Sequence, residues 1–352
     1  MEFWSETAKA LRPYTPGEQP RIKGLVKLNT NESPLPPSPR ALAAMREATN
    51  ESLRLYPAPE SDALRETLAA YHGLRAENVF VGNGSDEVLA HAFLALLKHD
   101  RPLLFPDVTY SFYPVWAQLY DIAYETVALD DNMRVRIDDY RRNRAGSVVL
   151  ANPNAPTGVA LSRAEIAKLL AQHADIPVVV DEAYVDFGGE TAIPLIAENP
   201  NLLVVRTFSK SRALAGLRVG YALGHAKLIE ALSRVKNSFN SYPLNRIAVA
   251  GAIASVEDDA YFRHSLKTIV AERENAIARL KQLGFDVLPS SANFVFARHE
   301  SAKGADLARA LRERAVLVRH FNAPRIEDYL RITIGTAEHT EKLIAALNDI
   351  VA

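Results

Sequence analysis

The sequence has no cysteine and no long apolar run. Without cysteine, the 352-residue chain can form neither disulfide bonds nor thiolate metal sites, which is typical of a protein from a reducing compartment. Its nine histidines show no H-x-x-x-H or similar ligand spacing, so the sequence predicts no metal site. No apolar run approaches the roughly 18 residues of a membrane span, and the start, MEFWSE, lacks the basic and apolar regions of a signal peptide. We therefore expect a cytoplasmic protein.

The chain also lacks an excess of charge of either sign. Its formal net charge is −1, from 41 basic and 42 acidic side chains. The basic residues are dispersed apart from a short cluster at 141–144, so no global field attracts nucleic acid or a membrane surface. With 48% apolar residues the chain can bury a large core, and its length suits two domains. This composition agrees with a cytosolic enzyme.

Strand-like and helical runs alternate along most of the chain. Residues 1–40 are rich in proline and polar side chains and predict an extended N-terminal arm. Residues 41–258 alternate in the way that is typical of a largely parallel sheet with helices on both faces. Residues 259–352 begin with a long helix and continue as a smaller α/β domain, to which part of the arm is added. The expected strands span 79–81, 103–105, 147–151, 177–180, 202–206, 217–223, 293–297, 315–319 and 330–334. The expected helices span 62–72, 85–98, 162–173, 244–256, 259–283, 305–314 and 339–351.

One lysine stands where a predicted strand ends. Residues 207–220 read TFSKSRALAGLRVG. In this segment Lys210 lies between two serines, and Arg218 follows it by eight positions. An amine near cationic and hydroxyl partners can stay partly unprotonated and nucleophilic, and a hydroxyl with a guanidinium can hold a phosphate. The segment resembles the loop that binds the cofactor of pyridoxal-phosphate (PLP) enzymes. The alternative is an exposed basic connection between two strands, and an isolated motif of this kind favours neither.

Three more segments place polar groups after predicted strands. The run VVVDEAY at 178–184 contains Asp181, either an inert ion-pair partner or the acid that a PLP enzyme holds against its pyridine nitrogen. The run VFVGNGSDE at 79–87 combines a strand, a glycine-rich turn and a helix start, which is either an ordinary cap or a phosphate cradle. The run SVVLANPNAPTG at 147–158 is a strand followed by a turn. Ligands of open α/β sheets bind where strands end, so these groups are candidates for one site.

Together these segments resemble the fold-type I aminotransferases, and further marks point to the histidinol-phosphate aminotransferase family. The marks are LNTNESP at 28–34, LYP at 55–57, PDVTYSFY at 106–113, SANFV at 291–295, VLVR at 316–319 and LRITIG at 330–335. The ordered set covers nearly the whole chain. The resemblance implies an enzyme of histidine biosynthesis that uses pyridoxal 5'-phosphate to transfer an amino group between histidinol phosphate and 2-oxoglutarate.

Other functions stay open on the same scaffold. Relatives of this family act on aromatic amino acids, and a related branch decarboxylates threonine phosphate. A protein that binds PLP without catalysis is disfavoured, because Lys210, Asp181 and Arg218 are all present.

The resemblance also implies a role for each site residue. Lys210 binds the cofactor covalently, Asp181 pairs with its pyridine nitrogen, Tyr184 bonds its ring oxygen, and Tyr110 stacks on its ring. The residues implied to hold the cofactor are Gly84, Ser85, Asp86, Tyr110, Asn154, Asp181, Tyr184, Ser209, Lys210 and Arg218, with Tyr56 reaching the phosphate from the neighbouring subunit of a homodimer. The residues implied to hold the substrate are Tyr14, Asn29, Glu32, Tyr56, Arg319 and Arg331.

The chain departs from the family pattern at one position. Most of these enzymes have asparagine immediately before Pro-Thr-Gly, where its amide bonds the ring oxygen opposite Tyr184, and this chain has Ala155 there. Asn154 stands one residue early, so either it reaches the cofactor through a small change in the turn or a water substitutes. The loss of one neutral hydrogen bond costs about 0.5 to 1.5 kcal/mol, too little to change the interpretation.

Overall fold

A computed structural model of the chain describes residues 3–141 and 145–351. These ranges contain twelve strands and eleven α-helices. The strands are β1 (Val26–Leu28), β2 (Val79–Gly82), β3 (Leu103–Pro106), β4 (Tyr124–Val127), β5 (Ser147–Ala151), β6 (Val178–Asp181), β7 (Leu202–Thr207), β8 (Gly220–Gly224), β9 (Phe285–Val287), β10 (Phe294–His299), β11 (Val316–His320) and β12 (Tyr329–Thr333). The helices are α1 (Glu6–Ala10), α2 (Pro39–Ala48), α3 (Asp62–His72), α4 (Ser85–Ala92), α5 (Tyr113–Leu119), α6 (Arg163–Gln172), α7 (Ala226–Phe239), α8 (Arg246–Glu257), α9 (Asp259–Gln282), α10 (Gly304–Glu313) and α11 (Ala337–Val351). Residues 142–144 of the basic cluster lie outside the described residues.

Seven strands form the larger sheet, in the order β2-β8-β7-β6-β5-β3-β4. The strands from β7 to β4 pair in parallel, and β8 runs antiparallel to both of its neighbours. The central strands are mainly apolar and are buried along their whole length because helices cover both faces. Successive side chains point to opposite faces, so Val178 and Val180 join one core cluster and Val179 joins another. The predicted, mostly parallel α/β fold is confirmed.

The smaller sheet has the order β1-β11-β12-β10-β9. Its edge strand β1 comes from the N-terminal arm and pairs in parallel with β11. Val26 and Leu28 of β1 are buried against the core of this sheet. The composition predicts an arm that is extended throughout, but the arm contains the helix α1 and the strand β1. Burial of apolar side chains against the smaller sheet stabilises β1. The division of the chain after residues 40 and 258 stays a prediction.

Two predicted elements near the glycine-rich turns differ in extent. The strand expected at 217–223 begins only at Gly220, because a 3-10 turn at Ala215–Leu217 precedes it and Arg218 adopts a left-handed φ of 55°. The helix expected at 85–98 is α-helical to Ala92 and continues as a π-type turn, Phe93–Leu97. Four helices that the sequence did not predict, α1, α2, α5 and α7, also occur. Within the described ranges, no helix is long and apolar enough to cross a membrane.

Candidate active site

A cavity of about 460 Å³ lies where the carboxyl ends of β5, β6 and β7 meet the smaller sheet and the N-terminal arm. Thirteen of the sixteen predicted site residues line it. They are Tyr14, Asn29, Glu32, Ser85, Asp86, Tyr110, Asp181, Tyr184, Ser209, Lys210, Arg218, Arg319 and Arg331. Parallel strands bring their carboxyl ends to one edge, so residues far apart in sequence converge there. The position and size of the cavity suit a small-molecule site.

Lys210 follows β7 and reaches into this cavity. Its Nζ donates a hydrogen bond of 3.1 Å to the carbonyl oxygen of Thr30. Burial, followed by the positive charge of Arg331, lowers the pKa of Lys210 to about 8. A lysine with such a pKa is partly neutral near physiological pH, and the neutral amine is a nucleophile and a base.

Asp181 is the last residue of β6 and is 5% exposed. One carboxylate oxygen accepts a hydrogen bond of 3.1 Å from the amide of Ala183, and the other accepts one of 3.3 Å from the Tyr113 hydroxyl. Burial raises the pKa of Asp181 to about 7. A buried carboxylate is stabilised by a cationic partner, so the site suits a protonated ring nitrogen.

Tyr184 lines the cavity three residues beyond Asp181. Its ring meets that of Phe294 edge-on, with 5.1 Å between centroids. Its hydroxyl accepts a hydrogen bond of 2.9 Å from the side-chain amide of Asn31. Burial raises the pKa of Tyr184, so the phenol keeps its proton at neutral pH and can donate it.

One end of the cavity is arranged for an anion. Arg218 contacts Ser209 over 3.4 Å and forms an ion pair with Asp86 over 3.1 Å. Ser85 begins α4, whose free N–H groups and dipole favour negative charge. Gly84 has a φ of 90°, and a Cβ there would lie 2.4 Å from the Arg218 guanidinium. Glycine at 84 therefore lets Arg218 lie against the turn, and the hydroxyls, guanidinium and helix start together suit a phosphate.

Aromatic rings form a wall of the cavity. Tyr110 donates a hydrogen bond of 3.0 Å to Asp86, which fixes its ring beside the anion-binding end. Tyr14 from the arm stacks on Phe112 with 4.6 Å between centroids and lies 6.4 Å from Tyr110. A flat ligand ring can stack on such a surface.

Two arginines line the cavity from the smaller sheet. Arg319 of β11 and Arg331 of β12 are paired across the antiparallel strands. Arg319 donates to the carbonyl oxygen of Thr15 over 3.1 Å, and Arg331 donates to that of Asn29 over 3.0 Å. Among the described residues, the buried Nε of Arg331 has no hydrogen-bond partner. Burial lowers the pKa of Arg331, and an anionic ligand would offset the cost of burying this charge.

Two predicted substrate contacts lie in the segment after β1. Asn29 donates from its amide to the carbonyl oxygen of Glu18 over 2.9 Å. Glu32 is bound to Lys27 and accepts a hydrogen bond of 2.9 Å from Thr30. Both side chains line the cavity while held by neighbours.

Asn154 is not among the cavity-lining residues. Its side-chain amide donates to the carbonyl oxygen of Val108 and to the Thr157 hydroxyl, over 2.9 and 3.1 Å, and its oxygen accepts from Thr109. These bonds use the amide within the turn, and a contact between Asn154 and a cofactor stays a prediction. Ala155 lines the cavity instead and presents only a methyl group.

Tyr56 also lies outside the cavity. It is 77% exposed and stacks on Tyr242 with 4.7 Å between ring centroids. An exposed position is compatible with the predicted contact to a neighbouring subunit, which stays a prediction.

Two cavity residues, Thr30 and Asn31, were not predicted individually from the sequence. Thr30 supplies the carbonyl that binds Lys210, and Asn31 supplies the amide that binds Tyr184. Asn31 has a φ of 55°, a conformation in which asparagine is enriched, but this preference does not reveal a ligand site.

Comparisons with known proteins agree with this geometry. The family model described as "Aminotransferase class I and II" matches residues 23–347. A histidinol-phosphate aminotransferase of Bradyrhizobium diazoefficiens is 63% identical, with 99% of each chain covered. One of Aromatoleum aromaticum is 57% identical at the same coverage. The crystal structure of histidinol-phosphate aminotransferase from Sinorhizobium meliloti in complex with pyridoxal-5'-phosphate superposes with a TM-score of 0.90 at 25% identity, covering 100% of this chain and 98% of the other.

Proposed function

Because this chain belongs to the aminotransferase class I and II family, we propose that it transfers an amino group between histidinol phosphate and 2-oxoglutarate with pyridoxal 5'-phosphate as cofactor. This reaction is a step of histidine biosynthesis. The observation that carries the proposal is the convergence of the low-pKa Lys210, the buried Asp181 and an anion-binding end in one cavity. The names of the two relatives supply the substrate.

The cavity residues fit this cofactor group by group. Lys210 would hold it covalently, and Asp181 would keep its pyridine nitrogen protonated. Tyr184 would donate to the ring oxygen, while Arg218 and the start of α4 would hold the phosphate. The bound cofactor supplies an electron sink for the charge that develops at the substrate Cα.

Lys210 is also the proton carrier. When its amine is not bonded to the cofactor, Lys210 would move the proton at the substrate Cα. Because burial lowers its pKa to about 8, part of this amine is neutral near physiological pH and can accept the Cα proton. General acid–base transfer of this kind contributes about 10² to 10⁴-fold to a rate.

The substrate phosphate would bind to Arg319 and Arg331, with Tyr14 beside them. Two guanidinium groups offer several N–H donors to one anion, and the unpartnered Nε of Arg331 would gain a partner. The same arginines would hold the distal carboxylate of 2-oxoglutarate. An aromatic aminotransferase or a threonine-phosphate decarboxylase could use this cavity, but the two relatives favour histidinol phosphate.

We propose that the active unit is a cytoplasmic homodimer. Exposed large apolar side chains support the dimer; they are Leu53, Leu55, Tyr56, Phe239 and Tyr242, with Tyr56 and Tyr242 in ring contact. In a two-fold dimer each Tyr56 would reach the phosphate end of its partner's cavity.

A comparison of amino donors tests the proposed function. The purified protein with PLP should show a visible absorption band that bleaches when a donor is added. We expect kcat/KM to be highest for histidinol phosphate, compared with phenylalanine, tyrosine and glutamate. A preference for phenylalanine would indicate an aromatic aminotransferase, and CO2 release from threonine phosphate would indicate a decarboxylase. A band that no donor bleaches would indicate a binding protein without activity.

A further inference from the structure

Asn31 lines the cavity and is 1% exposed. It follows β1, outside the strands that carry Lys210 and Asp181. Its backbone is fixed in the left-handed region, with φ 55°, by contacts from the smaller sheet. The amide of Asn293 donates to its carbonyl oxygen over 3.0 Å, and its own backbone N–H donates to the Thr333 hydroxyl over 2.9 Å.

The side chain of Asn31 has a defined orientation. Its Oδ1 accepts a hydrogen bond of 3.1 Å from the Thr333 hydroxyl. The Thr333 hydroxyl also accepts from the backbone N–H of Asn31, and Oδ1 is the acceptor that the described residues offer its proton. With the amide reversed, that proton would have no acceptor, so Oδ1 faces Thr333 and Nδ2 faces away. Nδ2 donates to the Tyr184 hydroxyl oxygen over 2.9 Å.

This arrangement decides what the Tyr184 hydroxyl can do. Its oxygen accepts from Asn31, so its own proton is free to be donated into the cavity. The opposite orientation of the amide would accept that proton and leave only an acceptor facing a ligand. Nearby, Ala155 offers a methyl group and Asn154 is bound to the turn, so neither supplies a competing donor.

We propose that Asn31 is a positioning residue that makes Tyr184 the hydrogen-bond donor to the ring oxygen of the cofactor. The inference rests on the proposed function, because it assumes that PLP occupies this cavity with its ring oxygen at Tyr184. Thr333 fixes the amide, the amide fixes the hydroxyl, and the hydroxyl donates to the anionic oxygen.

The test exchanges the amide for an acceptor. Asn31→Asp has nearly the same shape and tolerates the left-handed backbone, but its carboxylate would accept the Tyr184 proton. We expect the dissociation constant for PLP, measured by equilibrium dialysis, to rise about tenfold or more, since a hydrogen bond to a charged group is lost. The pH midpoint of the bound cofactor's visible absorbance should also rise. Without a donor, the ring oxygen holds the proton of the neighbouring Lys210–cofactor linkage more tightly.

A double-mutant cycle separates the positioning role of Asn31 from the effect of the negative charge that Asn31→Asp introduces into the cavity. Tyr184→Phe should raise the PLP dissociation constant by a similar factor, and Asn31→Asp should add little in that background, because both remove the same donor. Asn29→Asp is the matched control: Asn29 also lines the cavity but donates to Glu18, so its charge should act equally with or without the Tyr184 hydroxyl. Asn31→Gly keeps the backbone conformation and should weaken PLP binding only a few-fold. In the Tyr184→Phe background, Asn31→Gly should leave PLP binding unchanged.

The outcomes are distinct. Equal effects of Asn31→Asp in the native and Tyr184→Phe backgrounds would overturn the role of Asn31, as would native-like PLP binding by this variant. If Asn31→Asp does not fold, as judged by the melting temperature of the cofactor-free protein, Asn31→Gly in both backgrounds decides the question in the same way. Failure of the native protein to bind PLP at Lys210 would overturn the proposed function and, with it, this inference.

Discussion

The amine of Lys210 is bound to the backbone carbonyl oxygen of Thr30, 3.1 Å away. A carbonyl dipole stabilises the ammonium form less than a paired carboxylate does. Burial and the nearby Arg331 therefore prevail, and the pKa of Lys210 falls from 10.5 to about 8. The lysine of the cavity is thus prepared for nucleophilic attack before any ligand arrives.

The first prediction concerns this pKa. The rate at which the cofactor-free protein takes up PLP should rise with pH to a midpoint near 8, because the neutral amine is the nucleophile. Arg331→Gln removes a positive neighbour and should move the midpoint upward. Stopped-flow absorbance measures the rate, and borohydride reduction with peptide mass mapping locates the label. A midpoint near 10.5, or label on another lysine, would contradict the assignment; Lys210→Ala should bind PLP noncovalently without turnover.

A second prediction follows from the raised pKa of Asp181. Folding raises this pKa from 3.8 to about 7, so the buried charge destabilises the cofactor-free protein increasingly as pH rises between these values. Asp181→Asn should therefore raise the melting temperature of the cofactor-free protein above pH 7, with little effect near pH 4. The transamination rate of the same variant should fall by orders of magnitude, because the carboxylate that keeps the pyridine nitrogen protonated is gone.

The two measurements on Asp181→Asn test separate properties of this residue. Calorimetry at pH 4 and pH 8 measures the stability, and single-turnover kinetics with histidinol phosphate measures the chemistry. Near-native rates in Asp181→Asn would remove the electron-sink role from this residue, whatever the calorimetry shows.

How far the sequence predicts this site depends on where the contacts come from. Buried parallel strands are continuous apolar runs, so the strand ends that carry Lys210 and Asp181 could be located from local pattern. The bond between Asn31 and Thr333 joins residues 302 positions apart and leaves no local signal. The side-chain amide of Asn154 donates to the carbonyl oxygen of Val108, a contact that only the three-dimensional arrangement shows.

The arm illustrates the same limit for the fold. Its proline-rich, polar composition predicts an extended segment, because it contains too few apolar residues to form a core by itself. Val26 and Leu28 nevertheless form a strand, since β11 provides the partner and the smaller sheet provides the core. Tertiary pairing overrides composition here.

A third prediction concerns substrate choice. Arg331→Gln should reduce the preference for histidinol phosphate over histidinol, expressed as the ratio of kcat/KM values, by about 10 to 100-fold, because charge-assisted bonds to the phosphate are lost. Arg298→Gln is the matched control, since Arg298 pairs with Asp286 on the exposed edge of the same sheet and should leave the ratio unchanged. An unchanged ratio in Arg331→Gln would mean that the phosphate binds elsewhere.

A fourth prediction concerns stability. Arg206 is 8% exposed and pairs with Glu182 over 2.9 Å and with Asp186 over 2.8 Å. Arg206→Leu leaves the buried Glu182 carboxylate without its cation and should cost about 3 to 5 kcal/mol in the free energy of unfolding. Denaturant titration measures this cost. The exposed pair of Arg234 and Glu230 is the control, and Arg234→Ala should cost less than about 1 kcal/mol. Similar costs for both variants would show that the buried network contributes little.

The last prediction is that active sites are shared between two subunits. Lys210→Ala and Tyr56→Ala homodimers should each be nearly inactive, and mixing them should restore activity, since a heterodimer contains one site with both changes and one with neither. Tyr124→Ala is the control for loss of an exposed tyrosine, because Tyr124 stacks on Phe105 at the sheet edge and its homodimer should stay active. Subunit exchange is verified by tagged pull-down and the assembly by light scattering. No gain of activity despite exchange, or an active monomer, would exclude the shared site. Tyr56 would then be only a surface residue that stacks on Tyr242.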